Sequence, residues 1–267
     1  MLTFVGLGLY DERSITIEGR DALADADRVF AEFYTSKLAG ATTSDLEAFH
    51  DVDIEVRDRV GIERDPEPLF DAARDSSVAV LVAGDPMIAT THVDLRLRAT
   101  EREIDTRVVH GTTAQTAASS LTGLQNYRFG KATTLPFAYG SGGVPESVLT
   151  TVSENHERGL HTLCYLDIEA EREAYMGADD AARRLASAFG EDERFDAGEE
   201  TLAVAIARAG SPAPTVRADR LSVLSTTDFG DPLHLLVVPG DLHHVEADAL
   251  EALAGAPEDL IGSYRVR

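Results

Sequence analysis

The sequence predicts an α/β protein in two parts: an N-terminal parallel-sheet domain over residues 1–115 and a C-terminal α+β domain over 116–267. Three observations lead there. Short apolar runs alternate with helix-like stretches through the first half, the rhythm of a parallel sheet. Val78–Ala83 (VAVLVA) is apolar without interruption, as a central strand covered on both faces must be. A Gly- and Thr-rich stretch, Leu121–Gly143, then breaks the rhythm, and the pattern beyond it differs. The junction is placed near residues 110–125.

In the first part, Leu2–Gly6 reads as a buried strand and Arg28–Phe33 as a second. Val52–Val56 alternates with period two, Val78–Ala83 is a fourth strand, and Thr106–Val109 is a weaker fifth. Asp65-Pro66-Glu67-Pro68 signals a helix start, with Asp65 as cap and Pro66 in the first turn. Thr91 and Asp94 resemble a variant capping box, although Val93, Leu95 and Leu97 alternate as a strand would. The Leu121–Gly143 stretch holds the run Gly140–Gly143. In the second part a helix is expected at Pro145–Glu157 and a strand at Thr162–Ile168. Ala181, Leu185 and Ala188 mark a helix face that ends at Gly190. Strands follow at Leu202–Ala207, Leu221–Leu224 and Leu233–Val238. A last helix, Val245–Leu253, stops at Gly255 with Pro257 beyond.

Composition excludes several classes. A net charge of −23, spread along the chain with no basic patch, argues against nucleic-acid binding. Only Lys37 and Lys131 are lysines, and residues 161–200 hold 12 acids against 4 bases. Such a surface repels itself in dilute buffer, but at molar salt the Debye length falls to ~3 Å. The charge therefore points to a halophilic cytoplasm. No apolar run approaches the ~18 residues of a membrane span, and Met1–Leu9 lacks the basic flank of a signal peptide. One cysteine, Cys164, excludes a disulfide framework and reads as a core residue. The eight histidines show no metal-ligand spacing, and His243-His244 reads as an exposed helix start. Neither G-x-S-x-G nor GxxxxGK[ST] occurs, against hydrolase and P-loop chemistry.

Two motifs remain. The first strand runs into Gly6-Leu7-Gly8-Leu9-Tyr10-Asp11, half a dinucleotide fingerprint whose third glycine is replaced by Asp11. The strand Val78–Ala83 runs into Gly84-Asp85-Pro86. Ligands of open α/β sheets bind beyond the carboxyl ends of strands. Asp85 there can accept hydrogen bonds from a ribose or an amine.

These segments resemble the diphthine synthases, S-adenosylmethionine-dependent methyltransferases of the tetrapyrrole methylase fold. The resemblance runs in order from Phe4-Val5-Gly6-Leu7-Gly8-Leu9-Tyr10-Asp11-Glu12-Arg13 through Glu32-Phe33-Tyr34-Thr35-Ser36, Gly84-Asp85-Pro86, Thr91-His92-Val93-Asp94-Leu95-Arg96 and His110-Gly111. It resumes at Gly159-Leu160-His161-Thr162-Leu163, Leu166-Asp167-Ile168, Ala207-Arg208-Ala209-Gly210 and Pro239-Gly240-Asp241-Leu242-His243. It implies two lobes with the cofactor in the cleft between them, and a homodimer in the cytoplasm. It also implies N-methylation of a modified histidine on translation elongation factor 2. The family's cofactor contacts carry over to Leu9, Asp85, Ile88, Thr113, Ala114, Leu166, Ala209 and His234. Relatives commonly have Ser-Ile where this chain has Thr113-Ala114; threonine keeps the hydroxyl, alanine gives up apolar contact. The sulfonium is already electrophilic, so no catalytic residue and no metal is assigned; positioning can supply most of the rate. His92 and His110 are candidates for an optional general base. Two alternatives stand beside this reading: a tetrapyrrole methyltransferase of the same fold, and a non-catalytic cofactor-binding module.

Overall fold

A computed structural model describes residues 1–138 and 143–266; of the Gly140–Gly143 run only Gly143 lies among them. The chain forms two units, Met1–Thr113 with Ile168–Arg172, and Ala114–Asp167 with Glu173–Arg267.

The first unit alternates strand and helix: β1 (Leu2–Gly6), α1 (Ile17–Ala24), β2 (Arg28–Glu32), α2 (Thr43–His50), β3 (Ile54–Val56), α3 (Glu67–Asp75), β4 (Val78–Val82), α4 (Thr90–Glu101) and β5 (Thr106–Val109). The five strands form one parallel sheet in the order β3-β2-β4-β1-β5. Side chains of β1 and β4 alternate between two cores. Leu2, Phe4, Val78, Val80 and Val82 pack with Leu69, Phe70 and Leu95 of α3 and α4. Val5, Ala79 and Leu81 pack with Leu23 of α1 and Leu46 of α2. Burial on both faces is why β4 contains no polar residue. The chain leaves β1 toward β2 over one face and leaves β4 toward β5 over the other. The carboxyl ends of β1 and β4 are therefore a topological switch point.

Helix starts differ in part from the sequence reading. Thr16 caps α1, its Oγ1 accepting from the Gly19 N–H at 3.0 Å, and Thr42 forms a capping box with Asp45 on α2. The Thr91–Asp94 box does not form: Ala89 precedes α4 without a side-chain cap, and the Thr91 hydroxyl donates to Glu63 at 3.1 Å. Nor does Asp65 cap a helix. Its N–H closes a π turn over Val60–Arg64, and Pro66 precedes α3. The ambiguity after Thr91 resolves as helix because His92, Leu95 and Ala99 share the buried face while Val93 and Leu97 are exposed.

The second unit holds α5 (Ala114–Thr122), β6 (Thr133–Leu135), α6 (Glu146–Glu157) and β7 (Thr162–Leu166). The chain then passes β8 (Ile168–Glu169), which belongs to the first unit. There follow β9 (Ala174–Tyr175), α7 (Ala178–Glu191), β10 (Leu202–Ala207), β11 (Thr215–Arg220), α8 (Leu221–Leu224), β12 (His234–Val238), α9 (His244–Ala254) and α10 (Glu258–Ile261). Its sheet runs β11-β10-β12-β7-β6, antiparallel except for β6 beside β7. Leu221–Leu224, expected as a strand, is a helical turn. The place beside β10 is taken by Thr215–Arg220, and Leu221 and Leu224, three apart, bury on one side.

A buried carboxylate organises this unit. Glu246, in the first turn of α9, is fully buried. Its oxygens accept from the Gln125 N–H (2.8 Å), the His243 N–H (2.9 Å) and His161 Nε2 (2.9 Å), with Arg128 Nε 3.5 Å away. The Gly240 N–H donates to His161 Nδ1 at 3.1 Å, so the ring carries its proton on Nε2 and gives it to Glu246. His243 is exposed, as its sequence context suggests, and completes a capping box with Glu246.

Candidate functional site

In the first unit, three strand ends meet through glycine. A Cβ on Gly6 would stand 2.6 Å from both Gly111 N and Gly84 O, and one on Gly111 would stand 2.2 Å from Gly84 O. Only glycine permits β1, β4 and β5 to close this tightly. Gly8 and Gly84 pair across the gap: the Gly84 N–H donates to Gly8 O at 2.7 Å and the Gly8 N–H to Gly84 O at 3.3 Å. Gly84 has φ +77°, and among the described residues the nearest atom to its own Cβ position is Thr112 O at 4.0 Å. A ligand approaching there meets bare backbone. The GxG and Gly-Asp-Pro motifs, 78 positions apart counting Gly6 to Gly84, are thus one structure.

Asp85 sits at the centre, 9% exposed. Its Oδ1 accepts from the Met87 N–H (2.9 Å), and its Oδ2 from His110 Nδ1 (2.7 Å) and the Gly111 N–H (3.2 Å). Three donors leave part of its acceptor capacity, on Oδ1, for a ligand. The His110 side chain is 76% exposed. Leu9, next to the Gly8–Gly84 pair, is half-buried, and Ile88 projects into solvent at 57% exposure. Thr113 is half-buried at the unit's last residue before the boundary. A carboxylate with exposed Ile88 nearby in the chain and half-buried Leu9 next to the Gly8–Gly84 pair suits a cation with an apolar body.

His92 is no candidate for a base that meets substrate, because it is fully buried. Its Nε2 lies 2.9 Å from Glu32 Oε1, off the line of a hydrogen bond. Glu32, also fully buried, instead accepts from the backbone N–H groups of Tyr34 and Thr35 and from the Thr35 hydroxyl. It holds the Tyr34–Thr35 turn at the end of β2. Burial, with the Glu32 and Glu63 carboxylates beside it, holds the Tyr34 phenol well above its usual pKa. Sequence reasoning did not single out Glu32 as a buried acceptor; an isolated acid ending an apolar strand is the signal it offers.

In the second unit, Leu166 ends β7, Ala209 lies just past β10 and His234 opens β12. Ala207 pairs with His234, and continuing the β7–β12 register by one residue sets Leu166 opposite His234. These three candidates therefore share one end of the sheet. The Leu166 side chain is packed in the core, so a ligand would meet its backbone. Ala114 and Ala209 are half-buried against the other core of the unit. The His234 ring is fixed at both nitrogens: Nδ1 accepts from the Ala178 N–H at 3.1 Å, and Nε2 donates to Asp231 O at 2.9 Å. Burial pushes its pKa below the usual histidine value, the Asp231 carbonyl pulling less strongly the other way. His234 lines a pocket of about 310 Å³ with Tyr175, Gly177, Thr227, Asp228 and Gly230. Cys164 is fully buried in β7, and burial pushes its thiol up to about 12.

Among the described residues, no three His, Cys, Asp or Glu side chains are grouped to hold a metal ion. No described helix is long and apolar enough to cross a membrane.

Comparison with known proteins places this geometry in a family. The model of the tetrapyrrole (corrin/porphyrin) methylases matches residues 1–224. The diphthine synthase of Halorubrum lacusprofundi is 64% identical over 272 residues, covering 98% of this chain and 99% of the relative. That of Haloquadratum walsbyi is 63% identical over 265 residues, covering 98% of each. A crystal structure of a diphthine synthase superposes with a TM-score of 0.89 at 37% identity, covering 98% of both chains.

Proposed function

The chain belongs to the diphthine synthases of the tetrapyrrole methylase family, and on that premise we propose that it uses S-adenosylmethionine to methylate translation elongation factor 2. The acceptor is the amino group of 2-(3-amino-3-carboxypropyl)histidine, in diphthamide biosynthesis. The observation that carries the reading is the glycine-closed switch point with Asp85 at its centre. The residues present fit the cofactor: bare backbone at Gly84, a carboxylate with spare acceptor capacity, and apolar Leu9 and Ile88 around it suit a sulfonium with an ammonium tail.

When bound, the cofactor supplies an electrophilic methyl group, so the chain need provide no nucleophile. Of the cofactor contacts that the family resemblance carries over, Leu9, Asp85, Ile88 and Thr113 lie in the first unit and Ala114, Leu166, Ala209 and His234 in the second. Asp85 orients the loop at the end of β4, and the fixed His234 ring offers one edge to the neighbouring pocket. The rate enhancement comes from holding the acceptor nitrogen in line with the methyl group. The enzyme works as a homodimer in the cytoplasm. Its acidic, lysine-poor composition suits the salt-rich interior in which its halophilic relatives live.

The test is transfer of label from S-adenosylmethionine, in multimolar potassium chloride, to elongation factor 2 carrying the unmethylated precursor. A second sample has the target histidine replaced. Label on the first alone is the expected result. No label on either, with the protein folded and cofactor bound, overturns the assignment.

A further inference from the structure

We propose that His110, oriented by Asp85, is the proton acceptor for the substrate amine during methyl transfer; this rests on the function just proposed. An aliphatic ammonium has no lone pair and must lose a proton before it can attack. The His110–Asp85 pair has the geometry for that task. Nδ1 of the ring is 2.7 Å from Asp85 Oδ2, and a carboxylate there fixes the ring with its Nδ1 proton pointing inward. Nε2 is then left unprotonated on the outward edge, where no described residue partners it. The ring is 76% exposed while its carboxylate partner is 8% exposed, so the charge that stabilises an imidazolium is shielded and the accepting edge is open.

The pair is not needed to staple the loop. The Met87 and Gly111 N–H groups already tie the Asp85 carboxylate to the backbone on either side. An exposed histidine gains little stability from a single ion pair. Its position is what singles it out: the last residue before Gly111, at the closed end of β1, β4 and β5, beside the backbone opening at Gly84.

The step balances. Nε2 of His110 accepts one N–H proton from the substrate ammonium, and the freed lone pair forms the N–C bond to the methyl carbon. The C–S bond breaks with its pair going to sulfur, so a sulfonium becomes a neutral thioether and the nitrogen is again cationic. The His110 imidazolium, held against Asp85, returns its proton to water through its exposed edge.

The experiment compares wild type with His110→Asn and His110→Ala, which an exposed position tolerates. Labelled methyl transfer to elongation factor 2 gives kcat and KM, and calorimetry gives the affinity for S-adenosylhomocysteine separately. The expected result is a kcat loss of about 100-fold or more. KM and cofactor affinity stay within about threefold of wild type. Free imidazole restores His110→Ala in proportion to its concentration. Wild-type turnover in His110→Ala, or a loss that imidazole does not restore, overturns the proposal and leaves the enzyme assignment standing. A wild-type protein that labels no elongation factor 2 overturns the assignment itself, and the proposal with it.

Discussion

Replacing Glu246 by glutamine tests how the second unit is held together. The carboxylate is fully buried and meets three N–H donors at 2.8–2.9 Å, with Arg128 beside it. Burial pushes the carboxyl upward, but the hydrogen bonds from His161, Gln125 and His243 outweigh it and hold it at about 2 against an ordinary 4.5. A carboxyl depressed in the folded state stabilises it above the unfolded pKa and loses that contribution as pH falls through the folded one. The interval corresponds to about 3 kcal/mol at pH 7, fading between about pH 4.5 and 2. An amide of the same shape accepts at one atom only and sets its own N–H groups against the remaining donors. Counting the donors left without an acceptor gives a similar loss, about 1–3 kcal/mol each with partial compensation. Urea unfolding of wild type and Glu246→Gln, at constant high potassium chloride, should therefore differ by about 3 kcal/mol at pH 7. The difference should shrink toward pH 3 and persist in high salt, which screens buried groups little. A difference below about 1 kcal/mol at pH 7, or one that does not change between pH 5 and 3, would refute the reasoning.

Three other outcomes follow from the geometry. Gly111→Ala drives a methyl group into the Gly84 carbonyl and should lower stability by about 2 kcal/mol or more, whereas Gly143→Ala, with nothing among the described residues within 4 Å, should be near neutral; thermal unfolding of the two checks it. Cys164, buried with its thiol held near 12, should resist an aromatic disulfide reagent in the native state and react at once in urea; fast native reaction would contradict its placement. Ile88→Ser should leave the melting temperature unchanged, because the side chain is exposed, and weaken cofactor binding by about 1–2 kcal/mol; unchanged affinity by calorimetry would remove Ile88 from the proposed contacts.

Much of the first unit was legible because two-sided burial leaves an unambiguous mark. All five strands of its parallel sheet fall within about a residue or two of where the sequence pattern places them. The second unit hid more. β6 has three residues of which only Leu135 is buried, and it lies in a Thr-rich stretch that reads as loop. β11 is an edge strand whose TVRADR sequence carries three charges, so its partner β10 is visible and it is not. Leu221–Leu224 misleads because a short apolar segment fits either period. At the site, both motifs were readable, but the place of Gly111 beside them was not: only the fold sets β5 next to β1 and brings Gly111 against Gly6 and the Gly84 carbonyl. Nothing local separates His92 from His110 either. The burial of one and the exposure of the other are decided by which face of α4 packs and where β5 ends.

The alternation along β4 bears on how this enzyme can drift. Val80 and Leu81 are neighbours on one strand, yet they feed separate reservoirs of packing. A volume lost at Val80 is made good from the layer it shares with α3 and α4, and one lost at Leu81 from the layer it shares with α1 and α2. Each layer therefore has its own ledger of compensating substitutions, invisible to the other. Both layers hang from the strand that leads into Gly84 and Asp85, so either can nudge the carboxylate. Lineages that repack different layers should arrive at the same loop geometry by exchanges that cannot be swapped piecemeal between them.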